Sequence, residues 1–104
     1  MKQYFMYNGK KTKLQTGDVL YWDRNDKTLT LWREKQLLLF FDVNNKSTSN
    51  RIEIMTQDLN IFAVKNIAKL LAISVGLKTN TCSTDTFEQA TGINQKESIA
   101  IEFV

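Results

Sequence analysis

The chain has 104 residues, with 14 Lys/Arg against 11 Asp/Glu, 42% hydrophobic residues, no histidine and one cysteine, Cys82. Histidine is the side chain whose unperturbed pKa lies near 7 and the commonest metal ligand, so acid–base work would fall to carboxylates or lysines with strongly shifted pKa values. One cysteine makes neither an intrachain disulfide nor a Cys-rich zinc site, which leaves a non-catalytic binding protein without cofactor or metal as the expected class.

A single domain over residues 1–104 is expected, since one core usually spans about 50–200 residues. The charge is uneven. Residues 1–51 hold ten Lys/Arg against five Asp/Glu, and residues 52–104 hold four against six. The opening MKQYFMYNGKK lacks the apolar core of a secretory signal, and no apolar run approaches a membrane span. The lone cysteine fits a reducing compartment, so a cytoplasmic location is expected, with no membrane contact.

In chain order, Gln3–Tyr7 reads as a strand, and Asn8-Gly9 is a hairpin turn because a type I′ turn needs positive φ at both central residues. Lys10–Gln15 is a polar return strand, and Thr16-Gly17-Asp18 turns the chain again. Val19–Asp23 and Thr28–Arg33 are strands joined by Arg24-Asn25-Asp26-Lys27, and Glu34-Lys35 leads into Gln36–Val43. That strand holds Leu37-Leu38-Leu39-Phe40-Phe41, apolar on both faces. It is either covered twice, or covered once and used for binding on its other side.

The tract from Asn44 to Asn50 reads as loop, and Arg51–Met55 as a strand. Asp58 or Asn60 would cap a helix running to about Leu77. Its large residues, among them Val64, Ile67, Leu70, Leu71 and Leu77, sweep more than half of the helix circumference. One sheet covers one side of such a helix. A curled sheet, a second helix or a partner chain must cover another.

Thr79–Ser83 is loop or a brief strand, Asp85-x-x-Glu88 resembles a capping box, and Gly92 suits the end of a short helix. In Glu97–Val104, Ile99, Ile101 and Phe103 alternate with polar or small residues, predicting a strand that rejoins the sheet beside an early one. The expected fold is α+β: a curved antiparallel β-meander of five to seven strands packed on one long α-helix, with a short second helix and a C-terminal strand.

No constellation carries chemistry. Gly9, Gly17, Gly76 and Gly92 are too scattered for a phosphate cradle. Asp18, Asp23 and Asp26 read as turn residues, which bond local backbone, rather than as a hydrolytic pair. Cys82 has no histidine to activate it.

Binding residues are easier to nominate. Tyr4 and Tyr7 neighbour Lys10, Lys11 and Lys13 across the first hairpin, Trp22 precedes Arg24, and Trp32 precedes Arg33. Aromatics with nearby cations on a sheet surface are what single-stranded nucleic-acid binders use. Lys65 and Lys69 stand at i,i+4 beside the small residues Ala68, Ala72 and Gly76, a pattern that suggests a docking face for an acidic partner or for a second copy in a homodimer.

The leading expectation is a small protein that occludes a protein or nucleoprotein partner. Its lysine- and asparagine-rich composition fits an AT-rich coding sequence, common in phages and mobile elements. An inhibitor of a host nucleic-acid-processing or defence complex, anti-CRISPR-like, is the form this suggests. Direct binding of single-stranded DNA or RNA is the alternative, and an enzyme using carboxylate or lysine chemistry comes last.

Overall fold

The computed structural model describes residues 5–7, 9–42, 47–48, 61–94 and 98–104. Phe5–Tyr7 (β1) and Lys10–Thr12 (β2) form a two-stranded antiparallel ladder with Gly9 at φ 74° between them. Val19–Asp23 (β3), Thr28–Arg33 (β4) and Gln36–Asp42 (β5) form the expected meander, and Ser47–Thr48 (β6) extends it. Ile61–Ser74 (α1), Thr79–Thr81 (β7), Thr84–Thr91 (α2) and Ile99–Phe103 (β8) complete the chain.

Six strands make one antiparallel sheet in the order β6-β5-β4-β3-β8-β7. The C-terminal strand does rejoin an early one: Leu20 lies opposite Ile101, and Trp22 opposite Ile99. The architecture is α+β, an antiparallel sheet with two helices.

Several expectations need correction. The polar tract after β5 contains β6, whose Ser47 and Thr48 lie opposite Asp42 and Phe41. The first hairpin stays outside the main sheet, and β2 ends at Thr12 because Leu14 leaves the ladder to enter the core. Helix α1 stops at Ser74, short of Leu77. Gly76 takes φ 75° just beyond that end. The Gly76 N–H donates to the Ile73 carbonyl and the Leu77 N–H to the Ala72 carbonyl, the paired bonds of a Schellman motif. Gly76 is therefore a helix terminator, not a small position within the helix.

The α2 cap is Ser83, whose Oγ accepts from the Thr86 N–H, and not a box built on Asp85. Gly92 ends α2 as expected, at φ 73° with its N–H on the Glu88 carbonyl. The strand expected at Arg51–Met55, the caps Asp58 and Asn60, and Gln3 and Tyr4 lie outside the described residues.

Alternation along the strands divides the interior into two cores. Leu20, Trp22, Leu29, Leu31, Leu39, Ile101 and Phe103 point to the face covered by Val64, Ala68 and Ala72 of α1. Val19, Tyr21 and Ala100 point to the opposite face, where Phe87 and Ala90 of α2 cover them. Tyr21 and Phe87 meet edge to face at 4.8 Å between ring centres. The sheet packs on α1, and the short second helix expected from the sequence covers the opposite face, so the sheet has a helix on each side. The small residues Ala68 and Ala72 are buried in the core between α1 and the sheet, not on an outer face.

The β4–β5 turn couples the meander to α2. Glu34 and Lys35 both take positive φ, 47° and 66°, as a two-residue type I′ hairpin requires, and the Lys35 N–H donates to the Ala90 carbonyl at 2.7 Å. That bond satisfies one of the carbonyls left open at the end of α2.

Candidate interaction surface

The basic–aromatic nominations separate in space. Trp22 is 5% exposed and lies in the α1-side core between the sheet and the helix. Its register partner is Leu29, so β3 turns it inward whatever follows at Arg24. Trp32 points to the other face, half-buried against the α2-side core, where its indole N–H donates to Thr30 Oγ1 at 2.8 Å. The two tryptophans therefore offer no common stacking platform.

Arg33 is committed to structure. Its Nε donates to Asp18 Oδ1 and its Nη2 to Asp18 Oδ2, both at 2.9 Å, a bidentate pair with the carboxylate fully buried. The same guanidinium donates to Thr12 Oγ1 and to the Lys13 carbonyl, so it also pins the end of the first hairpin to β4. Asp18, read from sequence as a plain turn residue, closes its turn by accepting from the Gln15 N–H and also neutralises this cation.

Lys10, Lys11, Lys13 and Arg24 are exposed. Lys10 and Lys11 are successive residues of β2, so they point to opposite faces of the small ladder. Lys13 lies near the start of β3 through the Arg33 clamp, whereas Arg24 follows its end. A five-residue strand puts about 17 Å between those ends. Tyr7 stands opposite Lys10 in the β1–β2 register, and Tyr4 lies outside the described residues.

Asp23 Oδ1 accepts from the Asn25 and Asp26 N–H groups and shapes the β3–β4 turn. Cys82 is buried in the α2-side core. Among the described residues no three of Asp, Glu and Cys gather as a ligand set for a metal. A shallow polar depression of about 370 Å³ lies at the end of α2, lined by Lys35, Asp85, Glu88, Gln89, Gly92 and Asn94.

The structure does bring Lys65 and Lys69 together with something the sequence reading assigned elsewhere. Both are exposed, and at helical spacing they share the outer face of α1 with Asn66, Leu70 and Ile73. Leu70 is 60% exposed and Ile73 is 74% exposed. Leu70 is among the large residues that the sequence leaves in need of cover, and Ile73 lies on the same arc of the helix. The signal was the breadth of the apolar arc. The sheet covers one side of it, and the second helix, which could have covered the rest, packs on the opposite face of the sheet.

A smaller apolar strip lies on the α2 face, where Leu37 and Phe40 of β5 are 46% and 37% exposed. This is the one-side-covered arrangement allowed for β5, with Leu38 and Leu39 both in the α1-side core next to a register shift opposite Leu31 and Trp32. No helix among the described residues is long and apolar enough to cross a membrane. Compared with family models, with curated proteins and with solved structures, the chain matches none.

Proposed function

We propose that this is a small, non-catalytic protein that acts by occupying the surface of a macromolecular partner, through the outer face of α1. One observation carries the reading: Leu70 and Ile73 stand exposed on a helix that packs Val64, Ile67 and Leu71 toward the sheet, and among the described residues no second helix lies over them. Isolated exposed leucines are ordinary, but two on successive turns of one face, flanked by two lysines, form a contiguous contact surface.

The magnitudes set what this face can do. Burying what remains exposed of the two side chains contributes about 2–4 kcal/mol, scaled from roughly 1.5–3 kcal/mol for a fully exposed one. Association itself costs about 4–15 kcal/mol, so the pair acts as an anchor within a larger contact that Lys65, Lys69 and a polar rim complete. A cytoplasmic inhibitor of a host nucleic-acid-processing or defence complex, of the anti-CRISPR kind, falls within this reading. Size and the scarcity of catalytic side chains are its support.

The single-stranded nucleic-acid alternative is weaker on geometry. Its platform needs Trp22 and the hairpin lysines on one exposed face, and Trp22 is in the core. The experiment is affinity capture from the native cell with and without nuclease, using the wild-type chain and Leu70→Glu/Ile73→Glu. The expected result is a stoichiometric protein, resistant to nuclease and lost with the double variant, that rebinds when purified. Nuclease-sensitive capture, or capture unchanged by the double variant, refutes the proposal.

A further inference from the structure

We infer that the partner's contact surface is an acidic protein surface with an apolar centre, its carboxylates meeting Lys65 and Lys69 while its apolar groups take Leu70 and Ile73. This rests on α1 being the contact face and adds the chemistry of what it meets. Helix α1 carries two lysines and no acid, whereas α2, on the opposite side of the sheet, carries Asp85 and Glu88 and no cation. The two helices therefore present opposite charge in opposite directions.

Lys65 and Lys69 at i,i+4 repel one another in an isolated helix, and a carboxylate placed between them reverses the sign of that interaction. The apolar pair then discriminates among sources of negative charge. A phosphate backbone matches the lysines but leaves Leu70 and Ile73 against a heavily hydrated polyanion, and two cations supply few of the phosphate contacts that such binding needs. A second α1 packed face to face matches the apolar pair but brings four lysines together with no acid on either helix. A protein surface with acids around an apolar patch satisfies both halves.

The test is selection of random dodecapeptides on the immobilised full chain. Enriched peptides are then titrated against wild type, Lys65→Glu/Lys69→Glu, Leu70→Ser/Ile73→Ser and Asp85→Lys/Glu88→Lys. The expected peptides combine Asp or Glu with large apolar residues. Their affinity should fall at least about tenfold in each α1 variant, hold within about twofold in the α2 variant, and weaken as salt rises from about 50 to about 300 mM.

Peptides without acids, titrations unmoved by Lys65→Glu/Lys69→Glu, or no enrichment over an unrelated control protein overturn the acidic partner. If Leu70→Ser/Ile73→Ser still weakens binding in the first two cases, α1 stands as the contact face. Binding indifferent to Leu70→Ser/Ile73→Ser removes that reading too. Sedimentation of the wild-type chain distinguishes the remaining occupant. A mass that climbs with concentration, and returns to monomer in both the α1 and α2 charge variants, means that a second copy seats its acidic α2 side on α1, and overturns an external partner.

Discussion

Arg33 holds three groups with one guanidinium: the Asp18 carboxylate just before β3, the Thr12 hydroxyl and the Lys13 carbonyl. Asp18 is 1% exposed and the Arg33 side chain 15%, so replacing the arginine strands a carboxylate that water reaches poorly. Arg33→Met is expected to cost about 3 kcal/mol in urea unfolding, at the lower end for breaking a buried pair because the arginine is partly wet. Adding Asp18→Asn should cost less than the sum of the two single changes, since the second removes the stranded charge. Gly76 makes a separate demand. A Cβ there would meet nothing within 4 Å, so Gly76→Ala is opposed by φ 75° alone. An expected loss of about 1–2 kcal/mol, read from the same unfolding curve, follows from left-handed backbone.

At the scale of elements, periodicity located most of the structure because strand and helix patterns are local. The strands Val19–Asp23 and Thr28–Arg33 appear with the boundaries read from apolar runs between turn signals, and Gly92 ends α2 where its freedom at positive φ is needed. Termini set by specific hydrogen bonds were less legible: Ser83, not Asp85, caps α2, and the Gly76 motif ends α1 early. The two helices also differ in what they owe to the sheet. Phe87 is fully buried and fills the α2-side core, so Phe87→Ala should lose about 3–5 kcal/mol. Leu70→Ala, on the outer face of α1, should stay within about 0.5 kcal/mol in the same thermal or urea measurement. A large loss from Leu70→Ala would mean that the residue supports the fold, and the contact face would need another anchor.

For the whole molecule, the amino-acid sequence by itself determined the class of structure and the scarcity of catalytic side chains, because both depend on residue types and their spacing. It also showed that α1 is apolar around more than half of its circumference, and so needs more cover than one sheet face provides. Which side remained bare was decided by tertiary structure. Placing α2 across the sheet from α1 buries Phe87 and Ala90 against Val19, Tyr21 and Ala100, and leaves Leu70 and Ile73 in solvent. The same arrangement took Trp22 into the core and committed Arg33 to Asp18, removing both from the surface on which their neighbours in sequence had suggested they lie. Local sequence carries the period of each element. The choice of face depends on which distant element arrives to cover it, and that is settled by long-range packing.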